Sequence, residues 1–312
     1  MKLFVQIPCY NEEETLPLVI RSIPREIAGI ERVEIIVIDD GSTDRTAQVA
    51  RELGVEHILK HRTNKGLAQS FEDGLNYALL QGADIIVNTD GDNQYPQSEI
   101  PRLIEPIMKG EADIVIANRQ TDKISHFSWK KKMLQKLGSG TVRIISRVKL
   151  PDAPSGFRAY SREAALHMNI VTNFSYVIET IIQASKKGFK IVSIPVITNP
   201  QTRKSRLFKS NWEHIKKSGS TLVRVYMVYE PFKAFFYLGS LIFGAGFILG
   251  LRFLYFYFFV NGGRTGHVQS LILAAVLLMI GFQVFVLGVI ADLIGINRRL
   301  VEKLLYQDKK SM

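Results

Sequence analysis

The chain has 312 residues, with 40 Lys and Arg against 29 Asp and Glu, a net charge of +11 and one cysteine. A single cysteine, Cys9, excludes an intramolecular disulfide framework and fits a reducing compartment. The positive excess fits an anionic membrane surface or a phosphate-rich ligand, and no nucleic acid is expected as a partner, because no helix-turn-helix, zinc-finger or RNA-binding signature accompanies it. A hydrophobic share of 46% beside 22% charged residues implies a soluble part and an apolar part joined end to end.

The amino terminus does not read as a signal peptide. Its apolar run, Leu3 to Ile7, is short and ends at Pro8 before Asn11-Glu12-Glu13-Glu14, so the first domain is expected to stay on the side where it is made. The first 200 residues alternate short β-branched runs with helical stretches, the pattern of βαβ units around a mainly parallel sheet, an α/β fold. Strands are expected at Leu3–Ile7, Glu34–Ile38, His57–Lys60, Asp84–Thr89, Asp113–Ala117 and Lys190–Val196. Helices are expected at Glu13–Ile23, Asp44–Glu52, Leu67–Gln81 and Ser98–Lys109, from apolar residues near helical spacing. Ser42 and Asp44 supply N-cap chemistry to the second helix.

The carboxy-terminal third differs in kind. Ala234–Val260 is largely apolar with Arg252 as its one charged residue, and Val268–Ile296 is largely apolar with Asp292 as its one charged residue and Gln283 in its middle. Each exceeds the ~20 residues that a bilayer-spanning helix needs, and the polar turn from Asn261 to His267 between them makes the pair a transmembrane hairpin. Lys204, Arg206, Lys209, Lys216, Lys217, Arg224 and Lys233 precede the first span, and Arg298, Arg299, Lys303, Lys309 and Lys310 follow the second, whereas the turn carries only Arg264. The positive-inside rule then places both termini and the first domain in the cytoplasm. Residues 210–232 mix Trp212, Ile215, Leu222, Val225 and Tyr226 with Lys216, Lys217 and Arg224, as a helix lying along the membrane would. The stretch His126–Lys149 is likewise basic and aromatic, with Phe127 and Trp129 among seven Lys and Arg. The expected domains are therefore 1–209, an interfacial helix at 210–232, two spans within 233–297, and a basic cytoplasmic tail at 298–312.

The sharpest chemical signal is Asn88-Thr89-Asp90-Gly91-Asp92-Asn93-Gln94, directly after the apolar strand Ile85-Ile86-Val87. Ligands of open α/β sheets collect at the carboxyl ends of strands. Two carboxylates there can hold one Mg²⁺ or Mn²⁺, a hard cation that completes its shell with diphosphate oxygens. Asp39 and Asp40 end a second strand, and Pro8-Cys9-Tyr10-Asn11-Glu12 ends a third. Three acidic strand ends in this order point to a nucleotide site, and no G-x-G-x-x-G or Walker A sequence competes for that role.

The segments IPCYNEEETL, VIDDGSTDRT, NKGLAQSFEDGL, NTDGDNQYP and SGFRAYSREAA resemble the family 2 glycosyltransferases of GT-A fold. Within that family the likeness is to polyprenyl-phosphate glycosyltransferases, the group holding dolichyl-phosphate mannose synthases and bactoprenol glucosyltransferases. It covers roughly residues 2 to 210, and the hairpin that follows is similar to that of the bactoprenol enzymes. The resemblance implies that Pro8, Tyr10, Glu12, Asp40, Asp90 and Gly91 line the nucleotide-sugar site, with Asp39 supporting it. It implies Asp90, Asp92 and Gln94 as metal residues, with Asp92 also catalytic. Arg119 is expected to meet donor or acceptor phosphate. Lys132 stands where the family often has an arginine for the lipid phosphate, which keeps the charge and loses the bidentate fork. The basic loop that closes over the diphosphate corresponds to Thr202-Arg203-Lys204-Ser205-Arg206, with Arg203 or Arg206 making the contact and Ser205 beside the acceptor phosphate. Asp152 matches an acidic residue near the acceptor, as general base, as an orienting group or as a structural residue of a Pro-rich turn. A phosphate monoester with a second pKa near ~6 is largely a dianion at neutral pH, and chemistry does not require a base.

The reading is an inverting transfer of a sugar from a nucleotide-sugar to polyprenyl phosphate, undecaprenyl or dolichyl, with a UDP-sugar favoured over GDP-mannose as donor. It places the enzyme in the cell or endoplasmic-reticulum membrane, for cell-envelope or glycoconjugate synthesis. Self-association is expected from the interfacial helices and the short hairpin. A processive polysaccharide synthase is disfavoured because its Q-x-x-R-W motif and additional spans are absent. A non-catalytic membrane scaffold has no physical need for the convergent carboxylates.

Overall fold

The structure is a computed structural model that describes residues 1–120, 146, 148, 150–170, 176–200, 223, 226–227, 229–260 and 268–311. Two compact units divide the chain, Met1–Thr221 with Leu305–Met312, and Leu222–Leu304.

In chain order the first unit contains β1 (Lys2–Cys9), α1 (Leu16–Ser22), β2 (Arg32–Asp39), α2 (Thr46–Glu52), β3 (His57–Lys60), α3 (Leu67–Leu80) and β4 (Ile85–Asn88). Next, after a single 3₁₀ turn at Gln97–Glu99, come α4 (Ile100–Met108), β5 (Ile114–Asn118), β6 (Arg158–Ser161), α5 (Arg162–Leu166), α6 (Tyr176–Lys186) and β7 (Ile191–Pro195). The seven strands form one sheet in the order β3-β2-β1-β4-β6-β5-β7. All neighbours are parallel except β6, which runs antiparallel to β4 and β5.

All six expected strands and four expected helices are present, most ends shifted by one to three residues. Both faces of the central strands are covered, and so they read as apolar runs without alternation: Leu3, Phe4, Val5 and Ile7 of β1 and Ile36, Val37 and Ile38 of β2 are all 0% exposed. The second helix begins at Thr46, not Asp44. Asp44 still serves it from outside, because its Oδ1 accepts the Thr46 N–H at 3.0 Å, whereas Ser42 Oγ turns away and accepts the Asn11 N–H at 2.9 Å.

Strand order reverses between β1 and β4, since β2 and β3 lie on one side of β1 and everything later lies on the other. Such a switch point opens a crevice beyond the carboxyl ends of the two strands. Here those ends lead into Tyr10-Asn11-Glu12 and Thr89-Asp90-Gly91-Asp92.

The second unit is helical. α7 spans Pro231–Tyr255 and runs on as a π-helical turn at Phe256–Val260, and α8 spans Val268–Ser311, 44 residues. Their apolar windows are only 11% and 17% buried within the chain, and both helices are long and apolar enough to cross a membrane. Small residues bring the two helices together. A Cβ at Gly246 would stand 2.9 Å from the Leu278 backbone nitrogen, and one at Gly281 would stand 2.8 Å from Phe243 Cα. This is the close backbone approach that glycine permits between apolar helices.

Against expectation, the last basic segment is not a separate tail. α8 continues without a break past Ile296, and from Leu305 it belongs to the first unit. There Tyr306 stacks on His167 with ring centres 4.1 Å apart and donates to Glu163 Oε1 at 2.9 Å. Lys309 donates to Met168 O at 2.9 Å and Asn169 Oδ1 at 3.1 Å. Most of the expected interfacial helix at 210–232 and nearly all of the basic stretch 126–149 lie outside the described residues.

Candidate active site

The β1 and β2 ends are laced together through loop backbones. Asn11, in the left-handed region at φ +58°, accepts the Thr43 N–H on Oδ1 at 2.8 Å. Glu12 N donates to Thr46 Oγ1 at 2.8 Å, and the Thr15 hydroxyl donates to Glu12 Oε2 at 2.7 Å. Glu12 is buried, 6% exposed, and Tyr10 presents its ring at 40% exposure. Pro8 is a buried β1 residue in register with Ile38.

Asp39 and Asp40 are adjacent in sequence but differently employed. Both oxygens of Asp40 are taken by protein donors: Oδ1 accepts from Lys65 N at 2.8 Å and pairs with His61 Nδ1 at 2.7 Å, and Oδ2 accepts from Gly66 N at 2.8 Å. His61 in turn reaches Asp73 Oδ2 at 3.0 Å. Asp40 thus clamps the Lys65-Gly66 loop at the head of α3. Asp39, 1% exposed, accepts the Ser42 N–H on Oδ1 at 2.9 Å, while its Oδ2 has no hydrogen-bond partner among the described residues, the Lys60 ammonium standing 4.0 Å away. A buried acceptor left open is costly unless something supplies a donor.

Beyond β4, Gly91 packs directly on the β1 end: a Cβ there would fall 2.9 Å from Cys9 Sγ and 3.3 Å from Glu12 Cγ. Cys9 reports the convergence of the three strand ends. Burial pushes its thiol well up, and the negative charges of Glu12, Asp39, Asp90 and Asp44 push it further. The cysteine is therefore an inert core thiol among the site's carboxylates.

Asp90 is half-buried over Gly156, where a Cβ would meet its Oδ1, its Oδ2 and the Tyr176 hydroxyl, each at 3.2 Å. Asn88 organises the floor. Its Nδ2 donates to Gly156 O at 2.9 Å and Tyr176 Oη at 2.8 Å, while Oδ1 accepts from Gln6 Nε2 at 3.0 Å. Phe71 stacks on Tyr176 at 3.9 Å. Burial, then the Asp90 charge, keeps the Tyr176 phenol well above its ordinary range. Asp92 Oδ1 accepts the Gln94 N–H at 3.1 Å across Asn93, which sits at φ +60°. Among the described residues no three His, Cys, Asp or Glu side chains form a metal cluster; Asp90 and Asp92 are the two carboxylates in the loop directly after β4.

Arg119 follows β5 and is bound to Asp152 through its own N–H (3.0 Å), Nε (2.7 Å) and Nη2 (2.8 Å). Burial opposes its charge, but Tyr95, Asp152 and Asp90 outweigh it and hold the guanidinium firmly protonated. Arg158, fully buried, spends its donors on Ser155 O, Ala153 O, Val177 O and Thr180 Oγ1 and so fixes the Pro154-Ser155-Gly156 turn. The expected site residues Lys132, Arg203, Ser205 and Arg206 lie outside the described residues. Sequence reasoning passed over Asn88, Tyr95, Arg158 and Tyr176. Their bonds span up to 88 residues, and only the position of Asn88 next to the acidic loop offered a signal.

Residues 4–167 match the model of glycosyl transferase family 2, and the chain belongs to that family. It is 29% identical to polyprenol monophosphomannose synthase of Mycolicibacterium smegmatis, over 67% of this chain and 82% of that protein. It is 28% identical to undecaprenyl-phosphate mannosyltransferase of Micrococcus luteus, over 63% and 83%. The fold is also that of glucosyl-3-phosphoglycerate synthase from Mycobacterium tuberculosis, solved with Mn²⁺, UDP and phosphoglyceric acid, at a TM-score of 0.55 and 21% identity over 72% and 77% of the two chains. The protein is thus a GT-A-type glycosyltransferase with two apolar helices after its catalytic domain.

Proposed function

We propose that the protein transfers a hexose from a nucleotide-sugar to the phosphate of a polyprenyl phosphate, with inversion at the anomeric carbon. The observation that carries this reading is the gathering of Glu12, Asp39 and Asp90 around Cys9 at the β1/β4 crevice, in a chain whose similar relatives are named for polyprenyl-phosphate mannosyl transfer. Those names support mannose as the sugar and bring GDP-mannose level with the UDP-sugars that sequence alone favoured.

In this reading the Tyr10 ring stacks on the base and Asp39 Oδ2 accepts a hydrogen bond from it or from the ribose. Two carboxylates one residue apart suit a hard divalent cation, which takes its remaining oxygens from phosphate and water. Asp90, Asp92 and Gln94 would hold it, and it would supply charge neutralisation of the departing nucleoside diphosphate. Arg119, aimed by Asp152, presents fixed positive charge to phosphate oxygens. Asp152 serves here as an orienting group, because its carboxylate is committed to three Arg119 donors. Lys132, Arg203, Ser205 and Arg206 complete the phosphate contacts by the family resemblance. The two apolar helices anchor the enzyme in the membrane that holds its acceptor, with the catalytic domain and both termini cytoplasmic by the charge pattern, and tethering raises the acceptor's effective concentration.

The test is transfer from radiolabelled GDP- and UDP-sugars onto undecaprenyl phosphate by the detergent-solubilised full chain, with Mg²⁺, Mn²⁺ or EDTA and with Asp92→Ala. Metal-dependent label in the lipid fraction from one donor, lost in the variant, is expected. Donor hydrolysis or binding without labelled lipid would remove the acceptor assignment.

A further inference from the structure

After β7 the chain crosses from the end of β5 to the acidic loop in four residues. Val196, 1% exposed, donates its N–H to Asn118 O at 2.8 Å, next to Arg119. Three residues later Asn199 turns both of its donors on the acidic loop. Its backbone N–H reaches Gln94 O at 2.9 Å, and its side-chain Nδ2 reaches Asn93 O at 3.0 Å. Asn93 is one of three non-glycine residues with positive φ among those described, a conformation that costs about 1 kcal/mol or more and persists only where the surroundings fix it. Asp92 grips the loop from within through the Gln94 N–H, and Asn199 grips it from outside through the two carbonyls that follow. Pro200 comes next in sequence and disfavours a helical conformation at Asn199.

We propose that Asn199 is a positioning residue for the metal–diphosphate site: it holds the Asn93 and Gln94 carbonyls so that Asp92 and Gln94 keep the spacing a divalent cation needs. The inference rests on the nucleotide-sugar reading above and deepens it. Aspartate at 199 has the same shape but sets a charged acceptor against the Asn93 carbonyl, so that the grip becomes a repulsion. Glutamine keeps an amide donor on a longer stem. Groups that orient metal-binding side chains without touching the metal typically change affinity by about 10- to 100-fold when removed.

The experiment measures Mn²⁺ binding to the full chain in detergent by electron paramagnetic resonance, in the presence of GDP or UDP. The parent is compared with Asn199→Ala, Asn199→Asp and Asn199→Gln, and thermal melting of each unliganded protein runs alongside. The expected result is about tenfold weaker Mn²⁺ binding for Ala, weaker still for Asp, and partial recovery for Gln, with melting points close to the parent. Unchanged Mn²⁺ binding in both Ala and Asp overturns the positioning role while leaving the transferase reading intact. Weakening that simply tracks a lowered melting point in all three variants overturns it too, as a role in folding alone. A parent that binds no Mn²⁺ with either nucleotide overturns the metal-site reading itself, and the inference with it.

Discussion

The Asp152 carboxylate is bound by Arg119 through three donors, two from the guanidinium at 2.7 and 2.8 Å and one from the backbone at 3.0 Å. An anion so engaged and 1% exposed fixes the Arg119 guanidinium in place and is suited to an orienting role. Removing one partner of a buried ion pair costs about 3–5 kcal/mol, because the other charge is left uncompensated. Asp152→Ala is therefore expected to lower the melting point strongly. Asp152→Asn keeps one acceptor and the shape, and should retain the fold with kcat reduced about 100-fold. The pH–rate profile of Asp152→Asn decides the role: an unaltered limb fits orientation, whereas loss of the limb that rises with pH would show a general base.

Asp39 and Asp40 are expected to separate by readout. Asp40→Asn disturbs the clamp on Lys65 N, Gly66 N and His61, and each hydrogen bond to a charged group is worth about 1.5–3 kcal/mol. That variant should melt several degrees lower. Asp39→Asn keeps an acceptor for Ser42 N but sets an amide donor where the open Oδ2 now lies. It should melt near the parent and bind nucleotide about tenfold more weakly, as isothermal titration can measure. Equal loss of stability in the two variants would contradict this division of labour.

These carboxylates were legible as a group, because acidic residues directly after apolar strands stand out in the sequence, but their separate tasks were not. The partner of Asp40 is a loop some 25 residues on, and nothing local distinguishes it from Asp39. The sheet was read correctly wherever strands are apolar runs. Strand β6 escaped because Arg-Ala-Tyr-Ser has neither an apolar run nor clean alternation, and its Arg158 is buried only because four loop and helix oxygens surround it. Helices α5 and α6 were also passed over, although Ile181, Ile182 and Ala184 of α6 are core residues. The docking of Tyr306 and Lys309 on the catalytic domain lies in no local pattern, since its partners are some 140 residues earlier.

The glycines of α7 and α8 predict a position-specific effect. Gly281→Leu would drive its side chain into Phe243, whose Cα is 2.8 Å from the Cβ position, and Gly246→Leu would meet the Leu278 backbone. Gly244, with nothing within 4 Å of its Cβ position, should accept leucine. Overpacking costs about 1–3 kcal/mol, more where backbone must move. Cysteine pairs placed across α7 and α8 in a Cys9→Ser background should crosslink efficiently in the Gly244→Leu protein and poorly in the other two. Equal crosslinking in all three would show that close backbone approach does not hold the hairpin together.

Glu72 gives the pH prediction. It lies on α3, with Oε1 accepting the Ile170 N–H at 2.9 Å. Burial pushes its carboxyl up, the Asp73 and Glu179 charges add to this, and the Ile170 bond and Lys309 pull the other way without winning. Burial likewise lowers the Lys309 ammonium. A carboxyl whose folded pKa lies above its unfolded value stabilises the fold at low pH and loses that contribution as pH rises through the folded pKa. Glu72→Gln keeps an acceptor for Ile170 and removes the titration. It should therefore melt above the parent at pH 8, with the gap closing as pH falls through the raised folded pKa of Glu72 and the carboxyl takes up a proton. If Glu72→Gln instead melts below the parent at pH 8, attraction to Lys309 outweighs burial at this site, and the sign of the argument is reversed.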